Sequence, residues 1–203
     1  MNKILTAMFI IFTVSGCAVF DGGNVQKTTL SPYENNGEAK PNLSYSSVAK
    51  GGLSTSKRLS EAGQSIIEGE LLSVLQSSDY FGRISRNDES ADITIDVTVT
   101  NSGNPAALIP AFITGLSLYT IPSWAKDNFN LVANVERKDG LKKTYELTDS
   151  ATLVQWLPMI FAFPANNFSV VPEVRKNMYK KVLSDMKNDG FFSYKESTLS
   201  LAR

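Results

Sequence analysis

The 203-residue sequence contains no histidine. That removes the commonest general base, the commonest zinc ligand and the usual partner of a Ser or Cys nucleophile. It contains one cysteine, at position 17, so no intrachain disulfide can form. It also lacks net charge, because 20 basic residues balance 20 acidic ones. No overall field is available to draw in nucleic acid or an anionic surface. There is no GxGxxG and no P-loop. No Cys/His/Asp cluster has metal-ligand spacing. "GLSLY" at 115–119 lacks the second glycine of a nucleophile elbow. Asp92 and Asp96 share one face of a predicted strand, but four residues at ~3.3 Å each separate them by roughly 13 Å. That is too far for a glycosidase pair, and a solvated strand face is the better reading. The expectation is a protein that is not an enzyme and holds no metal or cofactor.

The opening stretch is informative. Lys3 supplies a short positive region, Ile4 to Val14 is uncharged and mostly apolar, and Val14-Ser15-Gly16 leads into Cys17. The apolar part is too short to span a ~30 Å hydrocarbon core as a helix. A charged start, a short apolar core and small residues before a cleavage point describe a secretory signal. Ending on Cys, this stretch resembles the lipobox of bacterial lipoproteins. The resemblance implies cleavage after Gly16, two acyl chains on the Cys17 sulfur through a glyceryl link and a third on its new amino group. Three chains would hold the protein firmly, since one alone binds only marginally. In the lipoprotein sorting rule an Asp directly after this Cys favours the inner membrane. Here Ala18 stands there, which implies the outer membrane, periplasmic face.

Residues 17–42 read as a lipidated flexible tether, because "AVFDGGNVQKTTLSPYENNGEAKPN" is polar and aperiodic. Residues 43–203 read as one α+β domain. "LSYSSVA" at 43–49 predicts a strand. Residues 55–77 predict a helix with Leu59, Ala62, Ile66, Leu71, Val74 and Leu75 near one face and Ile67 at its edge. "ADITIDVTVT" alternates cleanly, as a half-buried strand does. "NFNLVANVERKDGLKKTYELT" predicts a hairpin turning at Asp139-Gly140. Pro172 to Gly190 predicts a last helix with a stripe of Val174, Met178, Val182 and Met186, with Leu183 beside it. Arg175 and four lysines fall on its other, solvated faces. "LLSVLQSSDYFGRIS" and "KVLSDMKNDGFFSYK" echo each other as helix, polar stop, then a probable strand. Together these predict a small antiparallel or mixed sheet with two main helices on one face. The element order resembles the small α/β domain of envelope lipoproteins: activators of penicillin-binding proteins, the curli secretion lipoprotein and the amino-terminal domain of TolB. No motif matches residue by residue, so that resemblance assigns no functional residues.

Two stretches do not fit a plain soluble domain. From Val97 to Ala125, and again from Ser150 to Pro172, no residue carries a formal charge. Their apolar parts are 105–124 and 150–164. They flank the hairpin and so should lie close together. Pro110, Pro122, Pro158 and Pro164 interrupt them, which rules out continuous transmembrane helices. Three readings stay open. The runs extend the hairpin and fold over the core; or Leu118, Tyr119, Trp124, Trp156, Phe161 and Phe163 form an exposed contact patch; or the runs hold an apolar ligand. Tyr and Trp suit a membrane interface, where one end of the ring is dry and the other wet. Two functions follow. The first is an envelope interaction or assembly factor, anchored through its acyl chains, that binds an envelope protein or itself. The alternative is a lipid-handling or membrane-contacting domain.

Overall fold

The structure, a computed structural model, describes residues 17–33, 39–53, 56–162 and 169–193. The signal stretch at 1–16 lies outside them. The fold is α+β: a mixed, open seven-stranded sheet with three helices. In chain order the elements are β1 (Cys17–Asp21), β2 (Leu43–Gly52), β3 (Lys57–Arg58), α1 (Glu61–Ser77), β4 (Ile84–Arg86), β5 (Ile93–Gly103), α2 (Leu108–Leu116), β6 (Ser123–Arg137), β7 (Lys142–Gln155) and α3 (Val170–Asn188). Short 3-10 segments at Pro105–Ala107 and Leu157–Ala162 flank α2 and follow β7.

The strand order is β1-β7-β6-β5-β2-β3, with β4 beside the start of β2. β2 and β5 run parallel, joined through α1, and β5, β6, β7 and β1 pair antiparallel. The alternation read in "ITIDVTV" is realised: Ile93, Ile95, Val97 and Val99 are buried, facing the helices. Phe129, Leu131, Ala133 and Val135 of β6 lie on the same side. On the opposite side Thr94, Asp96, Thr98, Asn130, Asn134, Thr144 and Thr148 form an open polar face. Among the residues described, no helix covers that face.

α1 and α3 close the buried side. α1 begins at Glu61 rather than near residue 55, because Ser60 caps it, its Oγ accepting from the Gly63 N–H, and Lys57–Arg58 is drawn into β3. The buried face of α1 is Ile67, Glu70, Leu71, Val74 and Leu75, while Ile66 is exposed, the reverse of the expected order of the two isoleucines. α3 starts before Pro172, which occupies its first turn, where a missing N–H costs nothing. Its expected stripe of Val174, Met178, Val182, Leu183 and Met186 is buried. So are Arg175 and Tyr179, and this corrects the placement of Arg175 on a solvated face. Arg175 is paired with Glu70 of α1 through Nε–Oε2 at 2.7 Å and Nη2–Oε1 at 2.6 Å. The Leu131 side chain lies at the middle of this core, 1% exposed. Leu131→Ala is expected to cost about 2–5 kcal/mol, read from chemical denaturation.

The far end of the sheet is charged. Arg137 grips Asp139 beside the Asp139-Gly140 turn and donates to the carbonyls of Gly190 and Ser193. Gly140 sits at φ 96, as the turn requires. Asp189, at the end of α3, accepts from Lys143 Nζ and from the Tyr145 hydroxyl. Lys143 first and Tyr145 second hold the Asp189 carboxyl below the usual carboxylate value. This tie is intact above the ordinary carboxylate range and is lost as pH falls through the depressed value. Hydrogen exchange at the end of α3 is expected to accelerate there while β5 and β6 stay protected. Beyond Ser193 the chain lies outside the described residues, and with it the strand expected after α3.

The segment read as a tether is not one over its first half. Residues 17–21 form β1, in antiparallel register with β7 from Cys17↔Gln155 to Asp21↔Ala151. Ala18 and Val25 are buried. Asp149, itself buried, accepts from the backbone N–H groups of Asn24 and Val25. Asn177 of α3 accepts from the Thr28 N–H and donates to the carbonyls of Val25 and Gln26. Farther on, the Tyr80 hydroxyl and Lys187 hold Ser31. A polar, Gly/Asn-rich composition looks flexible, but here the buried Asp149 and the half-buried Asn177 supply its backbone with partners. Asp149→Ala is expected to leave those N–H groups unpaired, at about 1–3 kcal/mol, and to expose the 22–30 stretch to limited proteolysis.

Candidate membrane-contact surface

β1, β6 and β7 converge at one end of the sheet, where Cys17, Gln155 and Ser123 stand side by side in register. β5 and β2 end there too, the latter running into the half-exposed Leu53. The connection from β5 to β6 carries α2, "LIPAFITGL", across this end. Asn104 opens it: its Oδ1 accepts from the Ala106 N–H, and Pro105 fixes the first turn. Pro110 falls in the first turn of α2 and is tolerated there. The helix is apolar nearly all round, yet only Thr114 is buried. Thr114 donates to the Pro110 carbonyl, so its hydroxyl is satisfied inside the helix. Ile109, Phe112 and Leu116 of α2, with Trp124 of β6, are each 67–71% exposed. Leu108, Ile113, Leu118, Ile121, Trp156 and Leu157 are exposed beside them.

The turn after α2 is built on two left-handed residues, Leu118 (φ 52) and Tyr119 (φ 63). Such a conformation costs a non-glycine residue roughly 1–2 kcal/mol. Hydrogen bonds hold it. The Tyr119 N–H reaches the Thr114 carbonyl at 2.8 Å, and the Leu157 N–H reaches the Tyr119 carbonyl at 2.8 Å. The second bond ties the two uncharged runs together, as their places beside the hairpin predict. Leu118→Gly is expected to raise stability by up to about 1 kcal/mol, after the entropy cost of glycine, while removing one exposed leucine.

The residues expected in the contact patch are placed as follows. Leu118, Trp124 and Trp156 are exposed together, and Tyr119 is half-buried in the turn. Phe161 belongs to the 3-10 segment Leu157–Ala162, and Phe163 lies outside the described residues. The reading that these runs extend the hairpin holds in part: Ser123–Ala125 and Ser150–Gln155 are strand, with Ser123, Ser150 and Ala151 buried. Sequence reasoning missed α2 and its outward Leu108, Ile109, Phe112 and Ile113. The signal was the Asn-Pro start and the leucine, phenylalanine and isoleucine spacing that follows it.

Among the described residues, no group of three His, Cys, Asp or Glu could hold a metal ion. Asp92 accepts from the Asn42 N–H and Asp96 from the Ser46 hydroxyl, each in a local structural role. Burial, with Glu70 beside it, pushes the Tyr179 phenol well above its ordinary value. Among the described residues, no helix is long and apolar enough to cross a membrane.

No protein-family model and no curated relative matches the chain. Similar solved structures include a dodecameric PelC variant from Paraburkholderia phytofirmans, at 10% identity and TM-score 0.34, covering 83% of this chain and 95% of that one. Another is a minor lipoprotein from Acinetobacter baumannii, at 13% identity and TM-score 0.33, covering 75% of this chain and 91% of that one.

Proposed function

We propose that this is a lipid-anchored, non-enzymatic protein of the bacterial envelope, seated on its membrane by the apolar end of the sheet as well as by acyl chains on Cys17. Its other faces are free to serve envelope partners. The observation that carries the reading is the convergence of Cys17, α2, Trp124 and Trp156 at one end. The lipid-bearing residue is the first residue of β1, so no free chain separates the anchor from the folded body. Acyl chains entering the bilayer from Cys17 bring α2 to the same surface. Exposed Trp and large aliphatic side chains suit that depth, and no formal charge opposes entry from Val97 to Ala125. The sheet then stands away from the membrane. β6 alone, at 15 residues, spans roughly 45–50 Å to the charged Arg137–Asp139 end. The sorting rule puts this membrane at the periplasmic face of the outer membrane.

The test is flotation of the mature chain, residues 17–203, carrying Cys17→Ser so that no lipid is attached. Binding to liposomes with a blue shift of Trp emission supports the reading. A chain that stays in solution as a monomer removes it. A defined oligomer that ignores liposomes would reassign the apolar end to a self-interface, the assembly reading of the same surface.

A further inference from the structure

A cleft of about 370 Å³ opens at the margin of the apolar end, lined by Asn104, Pro110, Pro122, Trp124 and Lys126 among others. Lys126 is the first charged residue after the run that begins at Val97. It is exposed and lies on the open face of the sheet, two residues along β6 from Trp124 and on the same side. Its neighbour Asp127 points to the opposite face by the same alternation. Among the described residues Lys126 makes no ion pair. Across the cleft, the Asn104 side-chain oxygen is engaged by the Ala106 N–H at 2.9 Å. That fixes the carboxamide and leaves its NH2 group as a donor. An unpaired ammonium, an oriented amide donor and an indole thus share one concavity.

The depth of this cleft decides what it meets. Resting on the seating proposed above, the row Cys17–Gln155–Ser123 lies at the membrane surface, and Lys126 is three residues farther along β6. Three residues of strand span roughly 10 Å. The polar region on each side of a bilayer is about 5–8 Å deep. With that row at the acyl boundary, the Lys126 α-carbon stands roughly 2–5 Å outside the headgroup layer, and its ammonium reaches back into that layer on an aliphatic stem laid against the apolar margin. We infer that Asn104, Trp124 and Lys126 form a binding site for the phosphodiester of an anionic phospholipid headgroup. The cation is local, so the site works in a chain of zero net charge. It fixes how the sheet is rotated about the membrane normal, which acyl chains alone do not.

The experiment compares the mature Cys17→Ser chain with its Lys126→Gln and Lys126→Arg variants. Each is titrated with phosphatidylcholine vesicles and with vesicles that also contain phosphatidylglycerol, following Trp emission. The parent is expected to bind the anionic vesicles about fivefold more tightly, a preference that shrinks as salt rises. Lys126→Gln is expected to bind both vesicle types alike, and Lys126→Arg to keep the preference. With short-chain phosphatidylglycerol, the Asn104 side-chain amide and the Trp124 indole signals are expected to shift in NMR spectra. A preference unchanged in Lys126→Gln overturns the headgroup site and leaves the seating intact. Equal shifts with inorganic phosphate alone overturn the lipid assignment in favour of a free anion. A parent that binds neither vesicle overturns the seating itself.

Discussion

Replacing Phe112 and Leu116 together with aspartate is expected to abolish liposome binding by the unlipidated mature chain while leaving its fold intact. Both side chains are at least two-thirds exposed, so little of the core depends on them. Exposed substitutions of this kind usually change stability by no more than about 0.5 kcal/mol. Moving a Phe or Leu side chain fully out of water is worth about 1.5–3 kcal/mol, so losing two removes a factor of roughly 10²–10⁴ in partitioning. The added carboxylates enlarge that loss, because a charge at the acyl boundary must be dehydrated. Thr148→Asp, in the middle of the open polar face, is the matched control and is expected to bind like the parent. If the Phe112/Leu116 double variant floats as before, α2 does not touch lipid. If it instead changes a parent oligomer into a monomer, α2 packs on another copy.

The convergence behind this prediction was only partly legible in the sequence. Strand alternation in "ITIDVTV" and the Asp139-Gly140 turn were plain, because period and turn chemistry are local signals. The α3 stripe and the Leu71, Val74 and Leu75 part of the α1 stripe were legible for the same reason, but Ala62 is exposed, Leu59 precedes the helix, and Ile66 and Ile67 were interchanged. A one-residue rotation of about 100° separates those two, and only the partner surface decides between them. The failures are non-local. Residues 17–28 looked like a tether because their order depends on partners more than a hundred residues away: β7 for β1, and Asp149 and Asn177 for the stretch after it. α2 looked like a broken apolar run because Pro110 was weighed as an interruption. Its place in the first turn makes it harmless. Leu118 and Trp124 could be named as patch candidates from composition. That Cys17 stands at the same end required the register of β1 on β7 and of β7 on β6.

Glu70→Ala is expected to be among the most damaging single substitutions, at about 3–5 kcal/mol. Arg175 was misread as solvated, since a charge in a helix ordinarily faces water, and nothing local in the sequence marked Glu70 as its partner. They sit instead between α1 and α3, each 8% exposed, with two charge-assisted bonds at 2.6 and 2.7 Å. The Arg175 guanidinium also lies over the Phe129 ring, 5.6 Å from its centroid. Removing the carboxylate leaves that guanidinium buried without its partner, and the unpaired charge, more than the lost attraction, sets the cost. For a chain of this length the loss corresponds to a fall in Tm of roughly 6–20 °C. The double variant Glu70→Leu/Arg175→Met removes both charges and is expected to recover most of the difference, so the two single effects will not add. A cost below about 1 kcal/mol for Glu70→Ala would mean that water reaches the pair and that α1 and α3 are not packed as described. Below its lowered Tm the Glu70→Ala protein should still bind liposomes as the parent does. The pair holds the helices on the buried side of the sheet, and the apolar end is built from β1, α2, β6 and β7.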